Sequence, residues 1–356
     1  MAQYNFTAPL FFMINYFKIT LLLFVLSSCV KDKPQDVIQP QVQLTTAKKV
    51  YVINEGNFGS GNSSVSLFDS GNDAVIENFY QSQNTSSPII GDVAQSLSKI
   101  NDKFYLVVNN SGKIIVCDNQ FKKINQITNL SSPRYVLPIT NQKAYVSDYN
   151  ANAINVIDLN TNTKTSSIPC SGWTEKMVLI YNKALVTNMK RDYCYVINTI
   201  TDSKTDSISV GINNGSIEID KNDKIWVLSG GDNTNSILGK LSRINPLTNQ
   251  IEQSFQFSNN DSPNSLCLNK TKDTLYFLNG GIYKMPITSN ALPVTEFISN
   301  GTKNFYGLGV NPNDYTIYAA DALDYIQKST IYIFGANGAQ KKYFNAGINA
   351  NGFYFE

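Results

Sequence analysis

A single phrase repeats along the chain: a turn, an aromatic-apolar strand, a polar loop, then a second strand ending in Asp or Asn. It first reads Lys49-Val-Tyr-Val-Ile-Asn54 with Val65-Ser-Leu-Phe-Asp69. It returns as Lys103-Phe-Tyr-Leu-Val-Val108 with Ile114-Ile-Val-Cys-Asp118, and later copies begin at Lys143, Lys183, Lys224, Thr274 and Thr316. The strand centres Tyr51, Tyr105, Tyr145, Leu185, Trp226, Tyr276 and Tyr318 lie 54, 40, 40, 41, 50 and 42 residues apart. A period near 40 suits a four-stranded unit repeated around an axis. The turn after the second strand repeats too, as Asp158-Leu-Asn-Thr161, Asn198-Thr-Ile-Thr201 and Asn245-Pro-Leu-Thr248. Asp or Asn there can cap its own turn.

These copies predict an all-β chain: a seven-bladed β-propeller of four-stranded antiparallel blades over residues 48–356. In each blade an inner strand A, such as Gln95-Ser-Leu-Ser-Lys-Ile100, precedes the pair B and C, and an alternating outer strand D follows. The first copy has no strand A before it. The C-terminal stretch around Phe353-Tyr354-Phe355 has the look of one, and is expected to close the ring by joining blade one, since closure removes open edges. No segment after the N-terminal region shows sustained helical periodicity.

Composition narrows the chemistry. The sequence contains no histidine, which excludes a Ser-His-Asp triad, His-ligated haem and His-containing zinc sites. The formal net charge is +2, too small for a nucleic-acid footprint. Asp232-Asn-Thr-Asn235 superficially resembles a calcium loop but lacks its glycine and closing glutamate. No glycine-rich phosphate loop opens a helix. The expectation is therefore a non-enzyme with no catalytic residues, no metal and no cofactor. Cys117, Cys170, Cys194 and Cys267 read as small buried hydrophobes, with Cys170 and Cys194 the one pair worth testing as a disulfide.

The N-terminus reads as an address. Residues 1–28 form a secretory signal, with an apolar run at 19–26 too short for an ordinary span; Met13 is an alternative start to Met1. Leu26-Ser27-Ser28-Cys29 resembles the bacterial lipobox, which makes Cys29 the expected lipidation site. Residues 29–47 read as a lipidated flexible tether. The stretch Val30-Lys-Asp-Lys33 partly resembles a surface-export signal. An outer-membrane, lipid-anchored and surface-exposed location is expected, with the periplasmic face as the alternative.

The D-to-A connections and the B-to-C loops of a propeller emerge on one face. On the B-to-C side the candidate ligand-binding residues are Asn57, Phe58, Asn110, Ser111, Asp148, Tyr149, Asn188, Asp232 and Tyr325. On the D-to-A side they are Asp92, Gln95, Arg134, Tyr135, Trp173, Glu175, Lys176 and Tyr306. Aromatic planes and directional amides suit a broad, amide-bearing or sugar-like ligand. Each also has a plain structural reading: Trp173 as inter-blade packing, Arg134 as a bridge to a carboxylate, Asn109-Asn-Ser-Gly112 as a hairpin turn.

The repeats resemble the YVTN/YncE-like propellers. More specifically, Asn54-Glu-Gly-Asn-Phe-Gly59, Gly91-Asp-Val-Ala-Gln-Ser96, Val108-Asn-Asn-Ser-Gly-Lys-Ile114, Ser132-Pro-Arg-Tyr135 and Gly172-Trp-Thr-Glu-Lys-Met177 resemble the Bacteroidetes surface lipoproteins that include BtuG-type cobalamin-binding proteins. The resemblance implies capture of a cobalamin-like corrinoid on one propeller face and transfer to a TonB-dependent transporter. Without histidine, such binding would leave the cobalt's own ligands in place. Two other expectations stay open: a protein-interaction scaffold or accessory subunit of a transporter for another cargo, and a carboxylate- or metal-dependent propeller enzyme.

Overall fold

The apolar run of each B strand is explained by burial on both faces. In β1 (Lys49–Asn54), Tyr51 and Ile53 pack into one apolar cluster while Val50 and Val52 pack into another. Side chains alternate across a strand, so a strand buried on both sides must be apolar throughout. The same division holds in β5, where Phe104, Leu106 and Val108 join the cluster of Tyr51, and Tyr105 and Val107 join the next one. The computed structural model describes residues 48–356. The expected signal, the alternative starts Met1 and Met13, Cys29 and the tether lie outside the described residues.

In chain order the first sheet holds β1, β2 (Ser64–Asp69) and β3 (Ala74–Ile76). A short helix α1 (Phe79–Gln83) follows. Next come β4 (Ala94–Ile100), β5 (Lys103–Val108), β6 (Lys113–Cys117) and β7 (Lys123–Ile127). The third set is β8 (Pro133–Pro138), β9 (Lys143–Asp148), β10 (Ala153–Asp158) and β11 (Thr163–Pro169). Then follow β12 (Thr174–Ile180), β13 (Lys183–Asn188), β14 (Tyr193–Asn198) and β15 (Ser203–Ser209), then β16 (Asn214–Ile219), β17 (Ile225–Ser229), β18 (Lys240–Asn245) and β19 (Gln250–Gln256). The last are β20 (Asn264–Leu268), β21 (Thr274–Asn279) and β22 (Gly281–Pro286), then β23 (Phe305–Val310), β24 (Ile317–Asp321), β25 (Lys328–Phe334), β26 (Gln340–Ile348) and β27 (Ala350–Phe355). Neighbouring strands are antiparallel throughout, and β27 lies beside β1 in the order β27-β1-β2-β3.

The expectation of seven separate four-stranded blades closed by the C-terminal strand is corrected here. The described strands form six sheets, five of which reach four strands or more. The pair Asn188 and Asn214 bridges β13 to β16 and fuses two repeats into one eight-stranded sheet. The sheet of β20, β21 and β22 has three strands. Beyond it the chain makes only an isolated bridge between Ile282 and Ile298, and Pro293 in that stretch cannot donate to a ladder. The fold is an all-β propeller whose units are not uniform.

The helix α1 is a second departure from the sequence expectation. Its five residues are too few to show a helical period, yet Phe79 and Tyr80 are buried. Phe79 meets Tyr51 edge-on at 5.9 Å and Phe121 at 5.4 Å. The repeated turns behave as expected: the amides of Asn160, Ile200 and Leu247 donate to the side chains of Asp158, Asn198 and Asn245 at 2.7, 2.9 and 3.0 Å.

Candidate functional site

The inner strands touch in turn: β4 meets β8, β8 meets β12, β12 meets β16, β16 meets β20, β20 meets β23, β23 meets β27, and β27 meets β4. Where they converge there is a cavity of about 570 Å³. An inner strand has no sheet neighbour on its axial side, so its axial side chains can stay polar. Gln95, Arg134, Tyr135, Glu175, Lys176, Tyr306 and Tyr325 line this cavity. Sequence reasoning also missed several lining residues, among them Glu55, Ser216, Ser265, Lys303 and Asn351. Their shared signal is position: most sit on an inner strand or in the connection leading into one, and Glu55 lies in a loop already singled out.

Arg134 organises the mouth. Its Nε and Nη2 donate to both carboxylate oxygens of Glu175 at 2.8 and 2.7 Å, and Nη1 donates to Gln95 Oε1. Trp173 Nε1 donates to Glu175 at 2.6 Å, and the Arg134 guanidinium lies 5.3 Å from the Trp173 ring. Burial opposes the guanidinium charge, but Glu175 outweighs it and holds Arg134 above its usual range. A planar fork on a carboxylate with an indole beside it is a preorganised arrangement. Across the cavity Glu55 accepts from Tyr306 Oη at 2.9 Å and from Asn351 Nδ2. Burial raises the Glu55 carboxyl, against the pull of Tyr306, Arg134 and Asn351. Burial and the adjacent Glu55 raise the Tyr306 phenol.

One residue beyond Glu175 on β12 stands Lys176, with its Nζ 5.9 Å from the Tyr135 ring. Burial works against its charge, while Tyr135, Glu218, Cys267 and Glu175 together hold the ammonium above its usual range. Burial pushes Glu218 up to about 7, against Lys176 and Lys272.

Tyr325, which lines the cavity, is 45% exposed, and Phe58, in the loop after β1, is 80% exposed. Tyr325 meets Tyr306 edge-on at 5.6 Å, and Asn57 Nδ2 donates to the Tyr325 carbonyl at 2.8 Å. Tyr149 packs edge-on against Trp173 at 4.4 Å, with Lys190 Nζ 5.0 Å from the Tyr149 ring. Asp92, Asn110 and Ser111 form their own knot outside the cavity lining: Asn110 Nδ2 donates to Asp92 at 2.5 Å, and the Asp92 amide to Ser111 Oγ at 2.9 Å.

Three candidates are occupied by structural duties. Asp148 is fully buried and accepts from the amides of Ser131, Ser132, Asn150 and Ala151. Asn188 is fully buried, donating to the Ser171 carbonyl at 2.8 Å while its amide donates to Asn214 Oδ1 at 2.7 Å. Asp232 caps a short 3₁₀ turn at Asn233–Asn235, and bonds from Asn235 and Thr234 lower its carboxyl. Among the described residues no group of three or more Cys, Asp or Glu converges as a metal cage.

A family described as a domain of unknown function (DUF5074) matches residues 48–356. No curated protein sequence matches significantly. Among solved structures, a quinonprotein alcohol dehydrogenase-like protein from Bacteroides thetaiotaomicron is similar at TM-score 0.69 and 14% identity, covering 86% of this chain and 77% of that one. A protein from Lactobacillus plantarum is similar at TM-score 0.66 and 13% identity, covering 87% and 99%. The periplasmic gluconolactonase of Pseudomonas aeruginosa is similar at 0.65 and 12%, covering 87% and 99%. At such identities the likeness establishes the propeller fold and not the activity.

Proposed function

We propose a capture function for this chain, which belongs to the DUF5074 family: it binds a small-molecule nutrient at the mouth of the axial cavity. The observation that carries this is the preorganised mouth, where Arg134, Glu175, Gln95 and Trp173 are locked together at a cavity that the part-exposed Tyr325 also lines. Amide side chains of Asn264, Asn300, Asn304 and Asn351 also line the cavity. The site is concave, with convergent polar groups and rigid rings, as ligand sites usually are. It binds and does not catalyse in this reading.

The favoured cargo is a cobalamin-like corrinoid. That choice rests on the motif resemblance, and the rim chemistry is compatible with it. A corrin is a broad plate edged with amides. It would lie across the mouth on Phe58 and Tyr325 and send its amide arms into the cavity. A lipid on Cys29 would tether the protein to the outer membrane, and a TonB-dependent transporter would receive the cargo. Calorimetric titration of residues 30–356 with cyanocobalamin tests the cargo. Saturable binding that weakens at least about tenfold in Trp173→Ala is expected, since aromatic anchors dominate such interfaces. Absence of heat at high micromolar ligand sinks the corrinoid assignment.

A further inference from the structure

We infer that the floor of the axial cavity is a carboxylate-binding site, with Lys176 as its cationic group and Tyr135 and Ser216 as hydrogen-bond donors. The inference rests on the cavity being a capture site, and it applies to a cargo that carries a carboxylate, which the amide arms of cyanocobalamin do not supply.

Three observations carry it. Lys176 lines the cavity, and among the described residues its ammonium makes no hydrogen bond and no ion pair, whereas Arg134 and Glu175 are paired with each other. Lys176 is only half-buried, and its place among the cavity-lining residues of β12 leaves its three donors free for a guest. Second, donors surround it. The Tyr135 hydroxyl accepts a long bond of 3.4 Å from Gln95 and gives its own proton to no protein acceptor. Ser216, buried on β16, also lines the cavity with an uncommitted hydroxyl. Third, the charge balance selects a monoanion. Arg134 is neutralised by Glu175, which leaves Lys176 and Lys303 as the unpaired cations among the lining residues, with Glu218 acting on Lys176 from β16. At Lys176 a dianion such as phosphate would meet one ammonium and the field of Glu218 and Glu175. A carboxylate matches one ammonium and two neutral donors.

The groups that act on the Lys176 charge are Tyr135 on β8, Glu218 on β16, Cys267 on β20 and Glu175 on its own strand, while Lys272, in the turn after β20, acts on Glu218. Among them Glu218, raised to about 7, is the one that changes charge near neutrality. Below that pH it is neutral and ceases to compete for Lys176, so a carboxylate binds more tightly. Above it the ionised Glu218 competes, so binding weakens.

The test uses residues 30–356 with benzoate and benzamide, which match in shape and differ in charge. Affinities are read by calorimetry at about pH 6 and about pH 8: benzoate is ionised at both, whereas Glu218 is mainly neutral at the lower and ionised at the higher. Benzoate should bind at least about tenfold tighter than benzamide at the lower pH, a difference of one decade. Lys176→Met should remove that preference and Lys176→Arg should keep most of it. Glu218→Gln should remove the pH dependence and bring binding at pH 8 to the level seen at pH 6. Equal binding of benzamide, tighter binding of inorganic phosphate, or no benzoate binding by the folded protein each overturns the inference. So does unchanged benzoate affinity in Lys176→Met. If that variant fails to fold, Lys176→Gln is read in its place, and a preference for benzoate over benzamide that survives it overturns the inference. A failure of cyanocobalamin to bind leaves these outcomes intact, and a failure of benzoate leaves corrinoid capture standing.

Discussion

At the scale of the residue, the site depends on one guanidinium. Arg134 is mostly buried, with a side chain 14% exposed against a Glu175 side chain 7% exposed. Exposed ion pairs contribute little, but removing one partner of a buried pair strands the other charge. Arg134→Met would leave Glu175 with Trp173 Nε1 as its remaining side-chain donor. The expected cost is about 3 kcal/mol in chemical denaturation. Arg134→Lys restores charge without the fork and should recover only part of it. A loss below about 0.5 kcal/mol in Arg134→Met would mean that water, not protein, satisfies Glu175. The plain sequence reading of Arg134 as a carboxylate bridge and the functional one therefore coincide: the bridge is what shapes the mouth.

At the scale of the element, the connections carry as much design as the strands. Gly172 leads into β12 at a φ of +97°, and a Cβ there would stand 2.7 Å from Asn188 Oδ1. Gly59 has a similar φ of +79° but open space around it. Comparing the two separates backbone strain from collision. Gly59→Ala should cost about 1 kcal/mol from strain alone. Gly172→Ala adds displacement of Asn188, whose amide side chain holds the Ser171 carbonyl, and should cost about 3 kcal/mol. Equal costs would show that Asn188 yields freely. These elements also show what a sequence makes legible. The B strands could be read because burial on two faces writes an unbroken apolar run. The Asx turns could be read because one side chain caps its own loop, as Asp158 and Asn198 do. The partition into sheets could not, because a single backbone bridge at Asn188 and Asn214 decides it. Nor could α1, whose five residues carry no period. For the site, loop polarity alone could not separate Asp148, which serves four backbone amides, from Lys176, which serves none. That distinction depends on which strand faces the axis.

At the scale of the whole molecule, the described chain is held by packing between sheets without a covalent cross-link. Cys117, Cys170, Cys194 and Cys267 are all free thiols, and the first three are buried. The apolar clusters join neighbouring sheets around the fold, as where Tyr145 of β9 packs with Cys170, Ala184, Val186 and Tyr195. Burial pushes the Cys117 and Cys170 thiols up to about 12 and raises Cys194 and Cys267 further above their usual range. A thiol so far from ionisation is a poor nucleophile and a poor disulfide former, whatever the redox compartment. Residues 30–356 should therefore melt at the same temperature with and without reductant. A thiol reagent should label the native protein far more slowly than the denatured one. Cys267 should react first, because it is the one cysteine of the four that is only partly buried. A melting temperature that drops on reduction, with Cys170 and Cys194 protected together, would place a cross-link where the structure has two separate thiols. The prediction joins the scales: if the thiols stay silent until global unfolding, the same inter-sheet packing that silences them holds the inner strands around the cavity.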